Sequence, residues 1–227
     1  MTHMRITALL ALIFCAIQLN AQNFSHKEKY DDDFRFTDGI YLNKDDLKNN
    51  RPIEKAQIST NLDPDDLTYF EQLMQNKKIS IFDNLGNEQE IEVSKIFGFC
   101  NYGNIYINCN GNFCRLGIVG NICHFLGYKT VYRTQPSPYL GMYGYSPYYY
   151  SNNYRQTSTS EAQQYLYSFE TGQILEFNSS NMELLLMNDA NIQSEFSELS
   201  RKKKNAKLIY YMRLYNEKHP LYIPVYE

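Results

Sequence analysis

Four cysteines fall within one stretch, Cys100, Cys109, Cys114 and Cys123, with the spacing C-x8-C-x4-C-x8-C. Cysteine can bridge, ligate a metal, attack as a thiolate, or pack as a small hydrophobe. Structural zinc sites use short C-x2–4-C pairs on turns, and this spacing is too open for them. The pairs Tyr102-Gly103 and Gly111-Asn112 are read as two-residue hairpin loops. Cys100 then faces Ile105, Gly98 faces Ile107, and Cys109 faces Cys114. Side chains alternate along a strand. Cys100, Cys109 and Cys114 therefore share a face with Ile96, Gly98, Ile105, Ile107, Leu116 and Ile118, which is the expected core face. Opposed cysteines on neighbouring strands approach bonding distance, so Cys109–Cys114 is one expected disulfide and Cys100–Cys123 the remaining pair. Four cysteines allow three pairings, and buried free thiols are the alternative.

Nucleophilic catalysis finds little support. Cys123 and His124 are adjacent, and neighbours in a strand point to opposite faces, so they do not form a nucleophile–base pair. His26 and His219 lie near the chain ends, and His219, just before Pro220, reads as a helix-end or surface residue. There is no G-x-S-x-G, H-E-x-x-H, P-loop or G-x-G-x-x-G. A hydrolase acting through two distant carboxylates stays open as a second class, because such pairs leave no local motif. The run Asp31-Asp32-Asp33 has Phe36 and Leu42 where a calcium loop needs Gly and Glu. Asp63, Asp65 and Asp66 are explained by helix capping. No metal ligand and no cofactor are expected.

The tyrosines are the other distinctive feature. The chain has 21 Tyr, 13 Phe and no Trp. Tyr139, Tyr143, Tyr145, Tyr148, Tyr149, Tyr150 and Tyr154 fall among Gly, Pro, Ser and Asn. Residues 135–160 lack the aliphatics of a core and read as a long exposed loop. Tyr offers large, rigid contact area with a polar tip, so these seven are candidate binding residues for a protein or glycan.

The N-terminus bears on the compartment. A short segment with Arg5 precedes the apolar run ITALLALIFCAIQL and then Asn20-Ala21-Gln22. This reads as a secretory signal peptide over residues 1–21, cut after Ala21. The run is shorter than the roughly 20 residues a membrane span needs. No later run could span, so no transmembrane segment is expected in the mature chain. A net charge of −3 carries no nucleic-acid footprint. The setting read from this is outside the cytoplasm, as a secreted chain.

These features need elements to hold them. Residues 22–38 are polar and read as a flexible leader, with Phe34 and Phe36 anchoring its end. Asn43 caps a short helix over Lys44 to Asn49. Asp63 and Pro64 predict a helix start, with Leu67, Phe70, Leu73 and Met74 on its apolar face. From Lys78 to Arg133 the period becomes that of strands, with a first hairpin of ISIF and EIEV around Asp83 to Asn87. Thr171-Gly172 predicts a tight turn that sets Phe169 opposite Ile174. Helical segments follow, capped at Ser179, Ser180 or Asn181 and at Asp189, and another carries Leu208, Ile209, Met212 and Tyr215. The basic run Arg201 to Lys204 reads as a solvated face.

The pieces FTDGIYLNKDDLKNNRP, KIFGFCNYGNIYI, FETGQILEFN and RLYNEKHPLY, in this order, resemble a group of uncharacterised exported proteins of Bacteroidota. The resemblance implies an envelope setting and carries no activity. The expected fold is α+β: residues 39–227 form a single domain. In it a twisted antiparallel β-meander sheet is covered by one helix from the N-terminal half and by C-terminal helices. The expected function is non-catalytic binding of an envelope protein or glycan.

Overall fold

The computed structural model describes residues 25–83, 85–136 and 154–226. Its strands are β1 (Ser25–Lys29), β2 (Gly39–Tyr41), β3 (Ile58–Ser59), β4 (Lys78–Phe82), β5 (Glu88–Glu92), β6 (Gly98–Asn101), β7 (Asn104–Cys109), β8 (Asn112–Ile118), β9 (Ile122–Pro136), β10 (Tyr154–Ser168), β11 (Ile174–Glu176) and β12 (Tyr222–Tyr226). Its helices are α1 (Lys44–Lys48), α2 (Tyr69–Leu73), α3 (Ser179–Leu185), α4 (Ala190–Ser197), α5 (Arg201–Ala206) and α6 (Leu208–Lys218). The architecture is α+β. Seven strands form one antiparallel sheet in the order β11-β10-β9-β8-β7-β6-β2.

Two tight turns set the register at its centre. Tyr102 and Gly103 have φ of 50° and 72°, and Asn110 and Gly111 have 56° and 84°. Positive φ at both central residues marks type I′ hairpin turns, which match the twist of the strands they join. The first turn gives the expected pairs Gly98 with Ile107 and Cys100 with Ile105. The second lies one residue earlier than expected, because Asn-Gly suits both left-handed positions. Cys109 therefore pairs with Asn112, and Cys114 with Ile107. Cys109 and Cys114 are diagonal neighbours on one face. Diagonal Cα atoms lie about 7–8 Å apart, beyond the span a disulfide usually bridges. This corrects the expected bridges: Cys100, Cys109, Cys114 and Cys123 are free, buried thiols.

The sheet curls until its edges approach. Lys44 Nζ, just after β2, donates to the Thr171 carbonyl beyond β10 at 3.1 Å. The interior of this curl holds the four cysteines with Ile105, Ile107, Leu116, Phe125, Tyr165, Tyr167 and Phe169. Phe34 and Phe36 plug it, with the Phe36 ring 6.1 Å from Phe169. Each fully buried aliphatic or aromatic side chain contributes about 1.5–3 kcal/mol. The segment before these two rings is not a loose leader, because β1 pairs along its whole length with β12. Ile223 of β12 is fully buried in the same interior.

The outer face of the sheet is covered in two blocks. Over β2, β6 and β7 lie α2 and a separate sheet of order β3-β4-β5. The hairpin of β4 and β5 forms as expected but joins this smaller sheet rather than the main one. Phe70 of α2 stacks on Phe99 at 5.6 Å, and Phe99 on Tyr106 at 4.6 Å. Helix α2 starts later than Pro64. Asp63 Oδ1 accepts from the Asp65 N–H, and Asp66 Oδ1 from the N–H and hydroxyl of Thr68, so local turns use the capping oxygens first. Leu67 is left exposed.

Over β9, β10 and β11 lie the C-terminal helices. Ile122 and Leu166 pack against Met182, Phe196, Tyr211 and Met212. Asn178 caps α3 by accepting from the Asn181 N–H, one residue earlier than expected. Asp189 caps α4 through the N–H groups of Asn191 and Ile192, as expected. The turn after β10 is wider than a two-residue loop, and Tyr167, not Phe169, faces Ile174.

Candidate functional site

The longest strands of the fold build its most distinctive surface. β9 and β10 each run 15 residues and pair without a break, from Ile122 with Ser168 out to Pro136 with Tyr154. Their other neighbours are short. β8 pairs with β9 only up to Phe125, and β11 pairs with β10 only back to Tyr165. Beyond Phe125 and Tyr165 the two strands leave the sheet as a ribbon. This corrects the expected loop over residues 135–160, since 135–136 and 154–160 belong to strands. The residues RQTSTSEAQQ are polar on both faces, so they lack the alternation that marks a half-buried strand.

The base of the ribbon is fixed by aromatic packing. Phe125 and Tyr165 stack at 5.4 Å and 20°. A Cβ on Gly127 would meet the Tyr165 ring at 3.0 Å, so the glycine lets that ring lie across the strand. On the opposite face His124 packs edge-to-face on Phe177 at 4.8 Å and bonds Gln164 at 2.9 Å. There the helical layer stops.

Alternation then sorts the outer ribbon into two unlike faces. One carries Lys129, Arg133 and Glu161, paired as Lys129–Glu176 at 2.7 Å and Arg133–Glu161 at 2.6 Å. The other continues the face that the helices cover at Ile122 and Leu166. It carries Leu126, Tyr128, Thr130 and Tyr132, opposite Gln164, Ala162, Ser160 and Ser158. None of these eight is charged. Leu126, Tyr128 and Tyr132 are 62%, 53% and 65% exposed. Sequence reasoning missed them as a surface, although the i, i+2 spacing of Leu126, Tyr128 and Tyr132 was there to read.

Of the seven candidate tyrosines, Tyr139, Tyr143, Tyr145, Tyr148, Tyr149 and Tyr150 lie outside the described residues. Tyr154 opens β10, paired with Pro136. The four cysteine candidates are gathered in the interior instead. Burial raises the thiol pKa of each, to about 12 at Cys123. A protonated, buried thiol is a poor nucleophile and a poor metal ligand.

One cleft, of about 440 Å³, is lined in part by His219, which pairs with the neighbouring Asp189 carboxylate. His219 ends α6, and its Nε2 lies 2.8 Å from Asp189 Oδ2. The Ile192 N–H and then His219 hold the Asp189 carboxyl below its usual range. Burial raises the nearby Tyr215 phenol, as do the charges of Glu170 and Asp189. No serine, threonine or cysteine lines this cleft. The pair fastens the end of α6 to the start of α4. Four carboxylates are shifted among the described residues, Asp66, Asp83, Glu183 and Asp189, and all four go down. A general acid requires the opposite shift. No group of three metal-ligating side chains occurs among the described residues, and none of their helices is long and apolar enough to cross a membrane. No family model, curated protein or solved structure matches this chain.

Proposed function

We propose that this chain is a non-catalytic exported protein that binds a protein or glycan partner in the periplasm or outer envelope. The β9–β10 ribbon is its contact element. One observation carries the reading. The sheet face buried under helices at Ile122 and Leu166 runs on uncovered through Leu126, Tyr128 and Tyr132. A file of exposed aromatic and aliphatic side chains on a projecting element is a feature of interaction surfaces. The sequence that joins the two strand ends adds six tyrosines among Gly, Ser, Pro and Asn. That composition combines rigid contact area with adaptable hydrogen bonding. A hydrolase working through two carboxylates draws less support, since the shifted carboxylates are held ionised by turns and a cap at Asp66, Asp83 and Asp189 and by Lys204 and Ser197 at Glu183.

Deletion of Pro138 to Asn153, closed by an Asn-Gly turn, tests the reading. The shortened protein is expected to keep its melting temperature and to lose most of its association with the envelope fraction. Unchanged association would remove the ribbon from the function. Export is tested by the intact mass of protein recovered outside the cytoplasm, with a chain starting at Gln22 expected.

A further inference from the structure

Resting on that reading, we infer that the ligand of the ribbon is a neutral glycan, laid along the uncharged face of Leu126, Tyr128, Thr130 and Tyr132. Three features point this way. The first is charge. Lys129, Arg133 and Glu161 of the outer ribbon lie on its other face and are paired there, Lys129 with Glu176 and Arg133 with Glu161. A partner on the Tyr128–Tyr132 face meets no charge, so an anionic polymer has nothing to pair with.

The second is chemistry. Tyr128 and Tyr132 present rings that can stack on the C–H faces of sugar rings, and their hydroxyls stay wet. Thr130, Ser158, Ser160 and Gln164 add neutral donors and acceptors across the same face. Sugar hydroxyls ask for this mixture.

The third is size. Leu126 to Arg133 covers roughly 25 Å at strand rise, and two strands are about 10 Å wide. The described side chains of this face therefore cover about 250 Å², against the roughly 800 Å² per partner of a stable protein interface. A strip only two strands wide suits an extended oligosaccharide better than a globular surface.

The test is affinity electrophoresis of the full exported chain through gels containing β-glucan, α-glucan, mannan or xylan, with a polyuronate as the acidic comparison. At least one neutral polysaccharide is expected to retard the protein, equally at low and high salt. Tyr128→Ala and Tyr132→Ala are each expected to weaken that retardation about tenfold, the equivalent of one lost aromatic contact. Both sites are exposed, so the variants should melt with the wild type. The double variant Arg133→Ala, Glu161→Ala on the other face should bind within about twofold of wild type, since an exposed ion pair contributes little. Retardation by the polyuronate alone, abolished by salt, overturns the inference. Retardation by none of the polysaccharides also overturns it. In that case a photo-crosslinker at Tyr132 separates the two readings. Capture of one defined envelope protein leaves the ribbon as a protein-binding element, and no capture ends the binding function too. A dimer that Tyr128→Ala dissociates would overturn the glycan in favour of a second copy of this chain.

Discussion

Cys123 has no exposed surface, and Cys100 has none either. Burial keeps their thiols protonated, and at Cys100 the nearby Asp38 carboxylate adds to the effect. At pH 8 the four thiols of the folded protein should therefore resist iodoacetamide. Denaturation should expose all of them, giving one adduct at each. Rapid labelling of the native protein, or a mass two hydrogens lighter, would contradict the free, buried state. The turn residue decides between the two pictures. Reading Gly111-Asn112 as the loop makes Cys109 and Cys114 direct partners. The observed Asn110-Gly111 makes them diagonal. The sequence contained the better answer, because Asn-Gly is the stronger type I′ signal. The apolar face itself was legible, since alternation places Cys100, Ile105, Ile107, Cys109, Cys114 and Leu116 together under either register.

Helix α5 carries Arg201, Lys202, Lys203 and Lys204, yet only three of these face water. Lys204 Nζ bonds Glu183 of α3 at 2.9 Å, and the ring of Phe196 lies 5.3 Å from it. The Lys204 hydrogen bond, with one from Ser197, lowers the Glu183 pKa. A lowered folded pKa stabilises the fold above the unfolded value, about 4.3. That stability is lost as pH falls through the folded value. Glu183→Gln should thus lower the melting temperature at neutral pH, and the gap to wild type should close under acid. Parallel melting curves from pH 7 to pH 3 would sink this account. The ribbon teaches the opposite lesson about elements. β10 was half invisible in the sequence, because Thr157 to Gln164 are mostly exposed. Its strand state comes from pairing with β9, which is a partner signal rather than a local one.

Three cores share one sheet among the described residues, and β1 and β12 close the innermost. Ile223 is fully buried there beside Phe34 and Phe36. Ile223→Ala should destabilise the protein by about 2–5 kcal/mol, read from urea unfolding. A change below about 1 kcal/mol would mean that the terminal strands are an ornament on a core complete without them. Phe34 and Phe36 were legible as anchors, but the pairing of the terminal strands was not. SHKEK is wholly polar and pairs with a strand at the far end of the chain, so no periodicity announces it. The pairing has a kinetic consequence. Ser25 meets Tyr226 only after every residue between them has been made. Contacts of such sequence separation form late, because loop closure must precede them. The innermost core then stays open until β12 has emerged. A fold latched by that strand cannot lock itself shut before it arrives.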